Sequence, residues 1–303
     1  MKKILLTGSN GLLGQKLVGL LHKRPDIELF ATAKGQNRLH YNDGYTFLSM
    51  DIIDENRVRE VIGEVKPDVI IHTAAMTNVD QCESERELCW EMNVNALKYL
   101  VKACESNGCF LVHLSTDFIF DGEAGPYHEN DQPNPISYYG ESKLAAEEII
   151  LASSIKWSIA RTVLVYGIVE DMSRTNIILW VKKSLEDGKK INVVTDQFRT
   201  PTLAEDLAMG CWLIAEKEAT GIFNISGKDF LTPYEMAIKT ADYFGLDKSL
   251  INPADSSTFS QPAKRPPRTG FIIDKAVALL GYHPHSFDEG IKVVAEQFNN
   301  VSN

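Results

Sequence analysis

The chain is 303 residues long, with 44% hydrophobic and 24% charged residues, enough to bury a sizeable core as one large or two unequal domains. Its formal net charge of -10 argues against broad binding to nucleic acid or to an anionic membrane, both of which need a basic face. Five cysteines, Cys82, Cys89, Cys104, Cys109 and Cys211, occur without a C-x-x-C pair, so no disulfide framework or zinc pattern is expected and the thiols read as reduced and mostly buried.

The N-terminal run M-K-K-I-L-L-T-G loses its apolar character at Gly8, too soon for a signal segment or a membrane span, and no later stretch is long enough. A cytoplasmic location is therefore expected. Apolar runs at Ile4 to Leu6, Leu29 to Ala31, Val69 to Ile71, Phe110 to Leu114 and Ser158 to Arg161 read as strands. Between them, Gly11 to Lys23, Asn56 to Val65 and Leu88 to Glu105 read as helices. The alternation predicts an α/β fold built on a doubly wound parallel sheet with helices on both faces. Beyond Tyr166 the pattern is less regular, with a helix near Asn176 to Glu186, a strand at Ile191 to Val194, a helix at Leu203 to Glu216 and a strand at Ile222 to Ile225. Thr232-Pro233-Tyr234-Glu235 is a capping box that starts another helix, and prolines and serines between Pro253 and Pro267 mark a long loop.

Gly8, Gly11 and Gly14 follow the first strand and open the first helix. Glycines there permit a tight turn and close approach of the backbone to a pyrophosphate resting on the helix N-terminus, which predicts dinucleotide binding. The expected division is a dinucleotide-binding Rossmann domain over 1–166 and a smaller substrate-binding α/β lobe over 167–303, partly interleaved with the first. Cofactor choice turns on the residues after the second strand, where an acid about 20 residues past the loop would take the ribose hydroxyls of NAD. Residues 31–38, A-T-A-K-G-Q-N-R, have no acid and carry Lys34 and Arg38, which either suit a 2'-phosphate or are simply solvated. NADPH is therefore the favoured cofactor, with NADH as the alternative.

Tyr139 and Lys143 are four residues apart and share a helix face, a relation that Tyr138 lacks. A phenol with a pKa near ~10 exchanges protons reluctantly at neutral pH unless a cation stabilises its phenolate, and Lys143 is placed to do so. Thr116, at the C-terminal end of the fifth strand, is placed to give a second hydrogen bond to the same carbonyl oxygen, at the edge where open parallel sheets bind ligands. Ser115 beside it either assists or caps backbone groups. His72 and His113 fall inside apolar strands and are expected to be satisfied core histidines, while His283 and His285 are expected on a surface turn. The sequence contains neither H-E-x-x-H nor G-x-S-x-G, and no metal site is expected.

The segments S-T-D-F-I-F-D-G (115–122), Y-G-E-S-K-L-A-A-E (139–147), A-A-M-T-N-V-D-Q-C-E (74–83), R-T-V-L-V-Y-G (161–167) and D-Q-F-R-T-P-T (196–202) resemble the motif series of dTDP-4-dehydrorhamnose reductases. The G-x-x-G-x-x-G spacing likewise resembles that of the extended short-chain dehydrogenase/reductase family. The resemblance implies reduction by NADPH or NADH of the 4-keto group of a dTDP-linked 6-deoxysugar to give dTDP-L-rhamnose, with Thr116, Tyr139 and Lys143 as the catalytic set. It implies a cofactor site holding Asn10, Leu12, Asp51, Ile52, Ala74, Ala75 and Asn93 beside the glycines, Tyr139 and Lys143. Asp51 would meet the adenine amino group, and Asn93 would also help hold the active-site helix. Thr77, Val79, Ser115, Asp117 and Phe118 would face the nucleotide sugar.

Two positions depart from the family pattern: Phe118, commonly Tyr, and Arg199, commonly Gly. Arg199 is expected either to grip the nucleotide diphosphate or to point to solvent, and Arg265 in K-R-P-P-R (264–268) to contact the diphosphate. The related 4,6-dehydratases place an Asp-Glu pair after the active-site Thr; Asp117 followed by Phe118 argues against dehydration. Epimerisation at C4 uses the same trio and stays open as an alternative. The regulatory subunit of eukaryotic methionine adenosyltransferase resembles the same reductases, so a non-catalytic NADP-binding role is a second class of expectation. A homodimer is expected from family habit and the prevalence of twofold assemblies.

Overall fold

Short apolar runs bounded by glycine and polar turns build the sheet that carries the site. In this computed structural model, which describes residues 1–170 and 176–301 except for the side chains of 299–301, β1 (Lys2–Thr7) leads into α1 (Leu12–Leu21), β2 (Ile27–Ala33) and β3 (Thr46–Ser49). Next come α2 (Glu55–Val65), β4 (Val69–His72), α3 (Val79–Ser84), α4 (Arg86–Trp90), α5 (Ala96–Asn107), β5 (Phe110–Thr116), α6 (Tyr138–Leu151) and β6 (Lys156–Thr162). The remainder runs through β7 (Val165–Tyr166), α7 (Ile177–Glu186), β8 (Ile191–Val194), β9 (Thr202–Leu203) and α8 (Ala204–Lys217). It ends with β10 (Gly221–Asn224), α9 (Pro233–Phe244), β11 (Ile251–Ala254), α10 (Asp274–Leu280) and α11 (Phe287–Val301).

Seven strands form one sheet in the order β10-β6-β5-β4-β1-β2-β3, with every pairing parallel. The chain leaves β1 toward β2 on one side and returns to β4 on the other, so the carboxyl ends of β1 and β4 flank the topological switch point, where such sheets bind ligands. Alternation along each strand feeds two apolar layers. Ile4 and Leu6 of β1 pack with Val18, Leu207 and Trp212 on one face, while Leu5 packs with Val61, Leu97 and Ala146 on the other. Burying each such side chain contributes about 1.5–3 kcal/mol, which is why these strands read as continuous apolar runs.

β10 joins the main sheet beside β6, and Leu207 and Trp212 of α8 pack in the layer that contains α1, so residues 204–224 belong with the first half of the molecule and the two parts interleave. Three features differ from the sequence expectation. β3 escaped notice because its four residues, T-F-L-S, are too short to show a period. The helix expected over Leu88 to Glu105 is α4 and α5 joined by a π-helical turn at Glu91–Asn95, a local irregularity often found at functional sites. Pro253 and Ala254 pair with Val193 and Val194 instead of opening a loop. The capping box at Thr232 and Glu235 starts α9 as expected, and all five cysteines are free and buried. Among the described residues, no helix is long and apolar enough to cross a membrane.

Candidate active site

The glycine loop lies between β1 and α1. A Cβ on Gly14 would lie 2.2 Å from the Gly8 carbonyl oxygen, so only glycine lets α1 sit this close to the loop. Gly11 caps α1 without a side-chain hydrogen bond, and the Ser9 hydroxyl is fully buried in the loop without a hydrogen-bond partner. A helix N-terminus whose first amides no side chain caps, next to an orphaned buried hydroxyl, fits a bound diphosphate. Leu12 opens α1, and Ala74 N lies 3.5 Å from Thr7 Oγ1 across the switch point, with Ala75 following it.

Asn10 ties the adjoining segment to this loop. Its Nδ2 donates to Gln36 O at 2.8 Å, and its Oδ1 accepts from Arg38 N at 3.0 Å. Lys34 is exposed and meets Asp51 in an ion pair of 2.8 Å, so two residues expected at the adenosine end contact each other. Ile52 is buried beside Asp51. Solvent screens an exposed pair of this kind, so a phosphate can compete for Lys34.

Thr116 closes β5, and Tyr139 and Lys143 lie one turn apart on α6. All three are buried, at 7%, 8% and 3% exposure. A Cβ on Gly140 would lie 2.2 Å from Phe118 O, so the glycine after Tyr139 lets α6 press against the end of β5. The Phe118 ring meets Tyr139 edge-on with centroids 5.6 Å apart. Asn93, in the π-helical turn, accepts from Met76 N at 2.8 Å and donates to Met76 O at 3.1 Å and Ser142 Oγ at 3.0 Å. It thereby ties the loop after β4 to α6 between Tyr139 and Lys143.

Lys143 Nζ donates to Leu114 O at 2.7 Å and lies 3.1 Å from His113 Nε2. His113 is the buried strand histidine expected, and its Nε2 contacts the site lysine while its Nδ1 has no partner. Its ring stacks on His72 with centroids 5.4 Å apart, and His72 Nδ1 lies 2.7 Å from Thr7 Oγ1. Thr7, His72 and His113 are in register across β1, β4 and β5, forming a buried polar row that ends at Lys143. Burial pushes the Tyr139 phenol up, with the Thr116 hydroxyl pulling the other way. Burial also brings Lys143 down to about 8, opposed by the Glu147 carboxylate one turn further along α6. His72 is brought down by burial to about 3, and His113 well below its ordinary value. Both imidazoles are neutral at pH 7, so His113 Nε2 can accept from the Lys143 ammonium.

The substrate side is held by long-range pairs. Asp117 is buried and accepts from Thr116 Oγ1 at 3.1 Å and from Thr269 Oγ1. The single Thr116 proton thus goes to Asp117, so a second donation to a carbonyl requires that bond to break. Arg199 meets neither expectation made for it. It is buried, its Nη2 donates to Pro266 O at 2.6 Å, its Nη1 donates to Phe198 O at 2.7 Å and Pro267 O at 3.2 Å, and its Nε faces Asp117 Oδ2 at 3.7 Å. Those carbonyls and that carboxylate occupy the guanidinium, which leaves no bidentate edge for a diphosphate. Arg265 meets Asp80 of α3 through contacts of 2.7 and 3.1 Å.

Ser115 Oγ is buried without a partner beside Thr116, and Thr77 and Val79 lie where the chain leaves β4 for α3. A cleft of about 460 Å³ lined by Leu164, Val165, Tyr166, Asn176, Ile177 and Trp180 opens past β6, whose last residue Thr162 is in register with Thr116. His285 sits on the surface as expected, paired with Asp206 at 2.7 Å. The sequence reading missed His113, Asp80 and Thr269. For His113 a signal existed: it lies two residues before Ser115 and so on the same side of β5.

Residues 1–300 match the family described as the RmlD substrate binding domain. The chain belongs to the dTDP-4-dehydrorhamnose reductase family. A dTDP-4-dehydrorhamnose reductase from Clostridium acetobutylicum is similar to it with a TM-score of 0.86 and 30% identity, covering 98% of this chain and 99% of that one. A dTDP-4-dehydrorhamnose reductase from Bacillus anthracis strain Ames, in complex with NADP, gives 0.84 and 28%, covering 98% and 100%. The beta subunit of methionine adenosyltransferase 2 from Danio rerio is 35% identical over 270 residues, 88% of this chain and 81% of that protein. The seven-stranded parallel sheet is the Rossmann-type fold of the extended short-chain dehydrogenases/reductases, dTDP-4-dehydrorhamnose reductases among them. Because relatives of both kinds match over most of the chain, turnover has to be argued from the site.

Proposed function

We propose that this protein is an NADPH-dependent reductase of the 4-keto group of a nucleotide-linked 6-deoxysugar, with dTDP-4-dehydrorhamnose as the preferred substrate and NADH as an alternative cofactor. The observation that carries the reading is the buried Thr116, Tyr139 and Lys143 cluster at the carboxyl edge of the sheet that holds the glycine loop. A bound nicotinamide cofactor would supply the hydride. Gly8, Gly11, Gly14 and the α1 N-terminus hold its diphosphate, Asp51, Ile52, Ala74 and Ala75 surround its adenosine, and Lys34 and Arg38 take a 2'-phosphate. Tyr139 gives its proton to the carbonyl oxygen, the Thr116 hydroxyl beside it orients that oxygen once its bond to Asp117 opens, and Lys143 favours the phenolate left behind. A lysine brought down to about 8 is still mainly charged at neutral pH yet returns a proton more readily than a solvated one. The nucleotide sugar lies between this edge and the lobe built from α7, β8, α9, β11 and α11.

Purified protein should oxidise NADPH when given dTDP-4-keto-6-deoxysugar, and Tyr139→Phe should lower the rate about 10²- to 10⁴-fold while still binding NADPH. Tight NADPH binding without turnover of any nucleotide-linked ketosugar would sink the reading. A second reading, a cofactor-binding regulatory subunit, is favoured by the 35% identity to the Danio rerio protein. It predicts that the chain binds NADPH without turnover and assembles with a methionine adenosyltransferase catalytic chain, which size-exclusion chromatography of the mixture would reveal.

A further inference from the structure

The Lys143 ammonium has three N–H donors and no lone pair, so it can only give hydrogen bonds. One goes to Leu114 O at 2.7 Å and a second meets His113 Nε2 at 3.1 Å, which leaves one N–H for the Tyr139 side of the site. That division holds for only one form of His113. A neutral imidazole that accepts at Nε2 carries its proton on Nδ1, whereas the opposite tautomer would set its Nε2–H against an ammonium N–H. His113 Nδ1 is buried with no partner among the described residues, so nothing on that side of the ring selects a tautomer and the lysine contact does.

The ring is held from the cofactor side of the sheet. It stacks on His72 with centroids 5.4 Å apart and planes at 28°, and His72 Nδ1 lies 2.7 Å from Thr7 Oγ1, one residue before Gly8. Thr7, His72 and His113 stand in register on β1, β4 and β5, and paired strands place a group more precisely than a loop does. Lys143 comes to this row from α6, so the contact with His113 fixes the helix-borne lysine against the sheet.

We propose that His113 is a positioning residue that, as the Nδ1–H tautomer, accepts from the Lys143 ammonium and with Leu114 O fixes two of its three donors, so that the third serves Tyr139. The proposal deepens the reductase reading and rests on it for its kinetic part. The titratable groups around Lys143 are Tyr139 and Glu147 on α6, His113 on β5, His72 on β4 and Cys89 on α4. Glu147 is held by Arg161 at 2.6 Å. A hydrogen bond to the charged form of a group favours that form, so losing the His113 acceptor should bring Lys143 down further.

The test uses the full chain with ¹⁵N in the histidine rings and ¹³C at the lysine Cε, the two signals identified by their loss in His113→Gln and Lys143→Met. In the wild type at pH 7, Nδ1 should carry the proton and Nε2 should not; a protonated Nε2 overturns the proposal, even where no variant folds. His113→Leu should lower the Lys143 midpoint by about one pH unit, and His113→Gln, whose side-chain oxygen can accept, should restore most of that shift. An unmoved midpoint in folded His113→Leu overturns the proposal. In turnover with NADPH, the alkaline fall of kcat in His113→Leu should move down by the same unit, giving about tenfold less activity above the wild-type midpoint, with most of it recovered in His113→Gln. Equal losses in both variants with an unmoved alkaline fall would mean a merely structural histidine. Absence of turnover in the wild type fails the reductase reading instead, and the lysine titration still judges His113.

Discussion

The two sides of the site are prepared differently for their ligands. On the cofactor side the contacts are local and open: Gly8 to Gly14 are nearly contiguous, the α1 N-terminus has no side-chain cap, and the Ser9 hydroxyl has no partner. On the substrate side the cations expected to meet a diphosphate already hold carboxylates, Arg199 facing Asp117 and Arg265 on Asp80. Charge desolvation explains the contrast. Backbone amides and a hydroxyl tolerate being left without a ligand at a modest cost, whereas a buried guanidinium without a counter-charge would cost several kcal/mol. On the proposed reading, a cofactor enters a site that is already formed, while a nucleotide sugar either displaces Asp80 or binds around its pair with Arg265.

Changing the preformed side should have the largest effect. Gly14→Ala places a Cβ 2.2 Å from the Gly8 carbonyl and should cost about 1–3 kcal/mol of overpacking strain, lowering NADPH affinity and the melting temperature together; unchanged affinity would show that the loop is not preformed. Acid should act next on the same side through His72, which supports Thr7. The native imidazole, at about 3, stays neutral while the unfolded one, at 6.5, gains a proton, so the unfolded chain binds more protons between these values. Stability should fall as pH drops through that window, by up to about 1.4 kcal/mol per pH unit from this group. Calorimetry of His72→Gln should show a flatter acid limb than the wild type, and parallel limbs would remove His72 from the account.

Smaller effects should separate the substrate side. Asp80→Asn removes the carboxylate that competes for Arg265 and should lower the KM for the nucleotide sugar about fivefold, with NADPH affinity unchanged; a higher KM would mean that Asp80 orients Arg265 instead of restraining it. The smallest change is expected for Lys34→Ala, which should weaken NADPH about fivefold and NADH much less. Equal weakening, measured by fluorescence titration, would count against a 2'-phosphate role.

The sequence by itself determined the parts of this protein that depend on neighbours along the chain. Alternating apolar runs specified the parallel sheet, Gly8 to Gly14 the tight turn into α1, Thr232 and Glu235 a helix start, and the four-residue spacing a shared face for Tyr139 and Lys143. Each follows from a fixed geometric period or from a hydrogen bond within one turn. Tertiary structure alone decided what the charged and polar side chains do. Arg265 finds Asp80 across 185 positions, Thr269 finds Asp117 across 152, and Lys143 finds His113 across 30. No period links such residues, because a buried charge is settled by whichever counter-charge or carbonyl the packed layers bring within hydrogen-bond reach. That is why Arg199, legible in the sequence only as a departure from glycine, lies buried against the Phe198, Pro266 and Pro267 carbonyls and faces Asp117 at 3.7 Å.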